Sequence, residues 1–185
     1  MKKESREDLR SLARTIKEKN IIDAEISQII GRPAARGHAG EFIVSRIFNI
    51  ELEESASHKA IDGVFRTGEN AGKTVNIKWY GKQENILDVS EKNGPDFYLV
   101  MTGPKSVSSS SRGTTRPWLI SYVYVFESVN LIQDLEKVKK GVATSVKKRL
   151  WEMAEIYPES RNSQLILTQE QRLLLESFGD SLSPQ

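Results

Sequence analysis

Ala60-Ile61-Asp62-Gly63-Val64-Phe65 and Lys73-Thr74-Val75-Asn76-Ile77-Lys78-Trp79-Tyr80 are two strand-forming runs separated by Thr67-Gly68-Glu69-Asn70-Ala71-Gly72. The intervening segment is polar and bracketed by glycines, which is turn chemistry, so Lys59 to Tyr80 reads as a β-hairpin. Side chains alternate across a strand. Val75, Ile77 and Trp79 therefore share one face, and Asn76, Lys78 and Tyr80 the other. An acid on one strand and a polar-x-Lys pair on its neighbour then converge at one end of a sheet, an arrangement suited to metal-assisted phosphodiester chemistry. Asp62 would hold a divalent cation, Asn76 and the Ile77 carbonyl would complete its shell, and Lys78 would sit near the attacking water or the phosphate. The plainer reading is a charged side chain on the solvent face of an edge hairpin.

Working outward toward the N-terminus, Gly40 to Phe48 reads as a helix carrying Phe42, Ile43, Ile47 and Phe48 toward a core. Glu41 falls in its first turn, where the helix dipole favours a carboxylate. Leu9, Leu12, Ala13 and Ile16 give an amphipathic helix over 4–19 that packs one stripe. Asp23 to Gly31 reads as a second short helix, capped by Asp23 and stopped at Gly31 and Pro33. That string is faintly similar to the first half of a helix-turn-helix, but Gly37-His38-Ala39-Gly40 offers no base-reading recognition helix. Ile50 to Ser57 alternates as a short strand. His38 and His58 are the only histidines and form no metal-ligand pair.

Downstream, Glu84 to Lys92 reads as a short helix through Ile86, Leu87 and Val89, with a strand through Asp88-Val89-Ser90 as the alternative. Asp96 to Thr102 is a nearly continuous apolar run entered through Gly94-Pro95, a buried strand.

Helix, three strands, helix, strand, with Glu41 on the first helix, Asp62 on the second strand and Asn76-Ile77-Lys78 on the third, resembles the restriction-endonuclease-like nucleases, the PD-(D/E)XK superfamily. The resemblance covers roughly residues 38–103. It implies an α/β fold whose mixed sheet of about five strands is flanked by helices. It also implies a metal-dependent endonuclease that hydrolyses DNA, duplex rather than single-stranded, with Mg²⁺ or alternatively Mn²⁺ as cofactor. On that resemblance Glu41 matches the helix glutamate that assists metal binding, Asp62 the motif aspartate and Lys78 the motif lysine. The metal set would be Asp62, the Ile77 carbonyl, Glu41 and Asn76. Two positions depart from the pattern: Ile61 replaces the proline, and Asn76 replaces an acid. Asn offers one neutral carbonyl oxygen instead of a carboxylate, so metal affinity falls. The alternative is thus a catalytically degenerate nucleic-acid-binding or scaffolding protein of the same fold. An α/β interaction module without nucleic acid is a third reading, because fold does not fix function.

The rest of the chain extends this core within a single domain, made of N-terminal helices (1–37), the nuclease-like core (38–103), a loop (104–117) and a C-terminal strand with helices (118–185). The loop, with Ser108-Ser109-Ser110-Ser111 and Gly113, reads as flexible; Lys105, Arg112 and Arg116 in it are candidate phosphate contacts. Trp118 to Phe126 is an aromatic, β-branched strand. Ser128 caps a helix to about Lys139, with Leu131, Ile132, Leu135 and Val138 as its buried stripe. Gly141 to Thr144 reads as a brief strand, and Thr144 or Ser145 caps a helix ending near Pro158. Gln164 to Leu167 reads as a last short strand, and Thr168-Gln169-Glu170-Gln171 as a capping box opening a helix to Phe178. Lys137, Lys139, Lys140, Lys147, Lys148 and Arg149 form a basic run, either a solvated face or a phosphate-contacting patch.

Composition sets the bounds. Of 185 residues, 38% are hydrophobic and 28% charged, with a formal net charge of +2, so any nucleic-acid surface is a local patch and not a global field. The chain has no cysteine, which excludes disulfides, thiolate metal sites and cysteine nucleophiles. No apolar run is long enough to span a bilayer, and the charged start from Met1 to Lys19 is unlike a secretory signal. The expected compartment is the cytoplasm, with no membrane partner; a homodimer is compatible with all of this.

Overall fold

The computed structural model describes residues 3–53, 60–90, 94–106, 115–135, 138 and 140–180, with side chains from residue 7 onward. Helix α1 (Lys3–Ile30) is one uninterrupted helix of 28 residues where two were expected. No Gly or Pro interrupts Asn20-Ile21-Ile22, and Asp23, expected as a cap, instead pairs with Lys19 one turn back. The expected stop holds: Gly31 takes φ +70°, and its N–H donates to the Ser27 carbonyl at 2.9 Å. The stripe expected to pack does not, since Leu9, Leu12 and Ile16 are 54%, 55% and 48% exposed.

Helix α2 (Arg36–Ile47) starts earlier than expected, so Glu41 lies past the first turn and the dipole account of it lapses. The strands are β1 (Ile50–Leu52), β2 (Gly63–Phe65), β3 (Thr74–Tyr80), β4 (Ile86–Leu87), β5 (Phe97–Thr102), β6 (Tyr122–Glu127), β7 (Thr144–Ser145) and β8 (Glu155–Tyr157). Three short helices complete the fold: α3 (Ser128–Asp134), α4 (Lys148–Ala154) and α5 (Gln169–Glu176).

The fold is α/β, built on a mixed six-stranded sheet in the order β1-β2-β3-β5-β6-β8. Among the described strands of this sheet, β3 and β5 are the one parallel pair, in register from Val75↔Phe97 to Tyr80↔Thr102. Parallel neighbours require a crossover, and residues 81–96 provide it. Among the described residues of that crossover, 81–90 and 94–96, there is no helix where one was expected; Ile86 and Leu87 instead pair antiparallel with Ser145 and Thr144. Three further expectations for the C-terminal part are not met. The helix expected to run to Pro158 ends at Ala154, after which β8 joins the sheet edge beside β6. Gln164 to Leu167 is irregular and not a strand. Ser128 begins α3 without acting as a side-chain cap. The Thr168–Gln171 capping box is present as expected, with both reciprocal hydrogen bonds. The serine-rich segment 107–114, Lys137 and Lys139 lie outside the described residues.

Alternation divides the core in two. Val75, Ile77, Leu99, Met101, Val123 and Val125 pack beneath α2 and α5. Tyr98, Val100, Tyr124 and Phe126 meet α3 and α4 on the opposite face. All six residues of β5 are buried, which is why this strand reads as an unbroken apolar run. Among the described residues, no helix is long and apolar enough to cross a membrane.

Two glycines distinguish close packing from open space. A Cβ at Gly63 would lie 2.5 Å from the Glu51 carbonyl oxygen on β1, whereas one at Gly37 in α2 would meet nothing within 4 Å. Gly63→Ala is expected to cost about 2 kcal/mol, lowering Tm by roughly 4–8 °C. Gly37→Ala is expected to add up to about 1 kcal/mol. Circular-dichroism melts check both; equal effects of the two substitutions would contradict this packing.

Candidate active site

The site forms where the β2–β3 ladder ends. Gly63 pairs with Val75 and Val64 with Thr74, and the Asp62 N–H still donates to the Val75 carbonyl at 2.8 Å. Beyond that the strands part, and the Asp62 carboxylate takes the place of the next ladder bond: its Oδ2 accepts from the Ile77 N–H at 2.6 Å. The N–H and C=O of one strand residue point to the same edge, so the Ile77 carbonyl faces this gap too. Continuing the antiparallel register by one residue sets Asp62 opposite Asn76.

Asn76 is 3% exposed. Its Nδ2 donates to the Ala60 carbonyl at 3.1 Å, while its Oδ1 is buried without a hydrogen-bond partner among the described residues. Asn76 and Lys78 line a hollow of about 200 Å³ closed by Asp88, Ser90, Gly141 and Val142. Asp88 is fixed there by the Ala143 N–H, which donates to its Oδ1 at 2.7 Å, and by its own N–H donating to the Tyr80 hydroxyl oxygen at 3.0 Å.

Glu41 reaches the site electrostatically from α2, and it is ion-paired with Arg32 from the α1–α2 turn. Burial holds the Asp62 carboxyl above its usual range. The Ile77 N–H opposes that shift, as does the Lys78 ammonium, while Glu41 adds to it and Arg32 counters it. Ile77, Lys78 and Glu41 thus act on Asp62, whereas Asn76 shares with Lys78 the hollow on the face of β3 away from α2. Arg32 beside the first and Asp88 in the second were not expected there. Arg32 carries no sequence signal beyond its place in a Gly-Arg-Pro turn, and Asp88 lies in the segment after β3, where the described residues form no helix.

The basic run is dispersed. Lys140 is half-buried and precedes the Gly141-Val142 wall of the hollow, and Lys147 is exposed just ahead of α4. Lys148 pairs with Glu152 at 3.4 Å and Arg149 with Asp134 at 2.7 Å. Such exposed pairs contribute little, so both cations can exchange partners. Of the loop cations, Arg116 holds Glu84 through bonds of 2.8 and 3.1 Å, and Arg112 lies outside the described residues.

Among the described residues, no group of three His, Cys, Asp or Glu side chains is placed to hold a metal. The available donors are all hard oxygens: the Asp62 carboxylate, the Ile77 carbonyl, the orphaned Asn76 Oδ1 and the Arg32-paired Glu41. A buried acceptor without a donor is what a bound cation satisfies, and hard oxygens of this kind suit a hard divalent ion. No protein-family profile matches the chain, and no curated protein matches it either.

Because folding raises the Asp62 pKa, the folded state holds more protons than the unfolded one between the ordinary 3.8 and the raised folded value. Ionised Asp62 therefore costs stability that grows as pH rises through this window. Asp62→Asn is expected to raise Tm at pH 7 and to lose that advantage below about the ordinary carboxyl range. Melts across pH test this; a pH-independent difference would contradict it.

Proposed function

We propose that this protein is a divalent-metal-dependent endonuclease acting on DNA, with a restriction-endonuclease-like core. The observation that carries this reading is the Asp62 carboxylate standing in for the missing ladder bond at Ile77, with Lys78 and Glu41 acting on it from the adjoining strand and helix. The run of α2, β1, β2, β3 and β5 adds support, although the crossover holds β4 where a helix was expected. Asp62, the Ile77 carbonyl, Asn76 Oδ1 and Glu41 would hold Mg²⁺ or Mn²⁺. When bound, such an ion lowers the pKa of water and offsets charge at the phosphorus. Lys78 orients the attacking water or a phosphate oxygen through its ammonium protons. The Ile77 N–H fixes one Asp62 oxygen and leaves the other to face the cation. Arg32 pairs with Glu41, which would be free to hold the ion when that pair opens.

The second reading, a binder that has lost catalysis, is favoured by two observations: the neutral side chain at Asn76 and the Arg32–Glu41 pair. Plasmid nicking over Mg²⁺ and Mn²⁺ series separates the two. Asp62→Ala is expected to reduce cleavage on the order of 10²–10³-fold or more. Asn76→Asp is expected to tighten Mg²⁺ binding, read by calorimetry, and to raise cleavage. Cleavage that survives in Asp62→Ala would place the activity elsewhere. DNA binding without cleavage by wild type or Asn76→Asp would favour the binder.

Binding by the basic run is tested separately. Lys147→Ala combined with Lys148→Ala is expected to flatten the salt dependence of duplex affinity, by roughly 0.9 in log K per log salt for each phosphate no longer neutralised. An unchanged slope returns these lysines to a solvated face.

A further inference from the structure

We propose that a second site, a pocket for a guanine base, lies at the carboxyl ends of the parallel strands β3 and β5. In open α/β sheets ligands bind beyond the carboxyl ends of the strands. Here the two following segments are stitched together: the Gln83 N–H donates to the Pro104 carbonyl at 3.1 Å, and the Ser106 N–H to the Gln83 carbonyl at 3.0 Å. With α4 and the start of β8 they enclose a cavity of about 470 Å³, within the size range of small-molecule pockets.

The cavity gathers polar groups that the protein does not satisfy. Tyr124, Trp151 and Glu155 line it at 0%, 2% and 1% exposure. Trp151 Nε1 and Glu155 Oε2 are buried without hydrogen-bond partners among the described residues, while the Tyr124 hydroxyl has the Thr102 hydroxyl beside it as a partner. A buried polar group of this kind is unfavourable unless something pairs with it. Glu155 is ion-paired at long range: the Lys105 ammonium lies 3.5 Å from Oε2, without a hydrogen bond to it, and the Arg161 Nε lies 4.0 Å from Oε1. The Lys105 ammonium also lies 4.2 Å above the Tyr122 ring. Lys105 is half exposed and can swing aside.

The ligand these groups require has donors for a carboxylate, an acceptor for an indole N–H, and a flat body. The Tyr124 and Trp151 rings meet edge-to-face at 4.8 Å and supply the aromatic wall. Guanine meets all three needs: its N1–H and N2 amino donors suit Glu155, and O6 or N7 suits Trp151. Adenine would turn a ring acceptor toward the carboxylate. Lys105 and Lys148 at the mouth match the phosphate attached to such a base. The base can come from a free nucleotide or be extruded from a nucleic acid strand, and the chemistry of the pocket is the same for both.

The test uses the full chain without added metal, so its outcome is independent of cleavage and of Asp62. Calorimetry with GMP and AMP probes the free nucleotide. Anisotropy with duplexes bearing one unpaired guanine or one unpaired adenine probes the extruded base. At least one guanine probe is expected to bind about tenfold or more tightly than its adenine counterpart. Trp151→Phe and Glu155→Gln are each expected to weaken it about tenfold or more. Tyr124→Phe removes one hydroxyl and keeps the ring wall, so its binding and Tm should change little; Trp151→Phe also removes packed ring volume, so its Tm is expected to fall and its binding is compared at a temperature where it is folded. If Glu155→Gln fails to fold, Trp151→Phe carries the comparison. The proposal is overturned if neither guanine probe is preferred over adenine, or if the folded variants among Trp151→Phe and Glu155→Gln bind it as the wild type does.

Discussion

The parallel pairing of β3 with β5 is the constraint on which the rest of this molecule depends. Two parallel neighbours cannot be joined by a turn, so the chain must leave the sheet after Tyr80 and return at Phe97. Because β5 is buried along its whole length, both sheet faces need cover. Helices α2 and α5 supply it on one side, α3 and α4 on the other. The pairing also leaves the ends of β3 and β5 side by side, where the Gly103 N–H reaches the Tyr80 carbonyl at 3.0 Å. A Cβ on Gly103 would lie 2.2 Å from the Gly81 carbonyl oxygen, so only glycine allows the two segments to approach this closely. Strand β3 thus serves two places: its edge toward β2 opens at Asp62, and its carboxyl end opens into the large cavity.

What is legible in the sequence follows from how local each signal is. The hairpin is legible because Gly68 and Gly72, which both adopt positive φ, stand between alternating strands, and β5 because its apolar run is unbroken. The Thr168 capping box is legible because both partners lie within one turn. The departures arise where tertiary contact decides. Asp23 resembles a cap, yet with no breaker before it the helix continues and Asp23 pairs with Lys19. Ile86 and Leu87 alone fit a helix or a strand, and they form a strand because Thr144 and Ser145 lie opposite. Glu155-Ile156-Tyr157 reads as part of the preceding helix, since nothing local announces an edge strand there. For the candidate site, strand alternation places Asn76 and Lys78 together, and the hairpin sets Asp62 against Ile77. Arg32 and Asp88 arrive from a turn and from the crossover, whose paths no period in the sequence encodes.

Both places on β3 are organised at a cost to the unliganded fold. Burial raises the Asp62 pKa, and Asn76 Oδ1, Trp151 Nε1 and Glu155 Oε2 have no hydrogen-bond partner among the described residues. Most buried polar atoms in folded proteins are paired, so these exceptions cannot be accounted for by packing alone. The surrounding core tolerates them because it is otherwise dense: Leu99, Val100 and Met101 are fully buried between two helical layers. Groups held rigid and unsatisfied in this way are poised for ligands that complete them, since little reorganisation remains when the ligand arrives.

The charges around Asp62 carry this one step further. Asp62 and Glu41 are negative, Arg32 and Lys78 positive, and all four act on one another's neighbourhood. The site is therefore balanced as it stands, and the neutral amide of Asn76 keeps it so, where a third carboxylate would leave it negative and in need of a cation to fold comfortably. The same balance weakens the pull on a divalent ion, because hard cations are held chiefly by ligand charge. On the proposed reading a DNA phosphate restores that pull: it brings its own negative charge to Lys78 and draws Arg32 away from Glu41, which frees a carboxylate beside Asp62. Metal and DNA would then bind more tightly together than either does alone, the reciprocal coupling that linkage requires. Asn76 in this view shifts metal capture from the free protein to the DNA complex and need not abolish it.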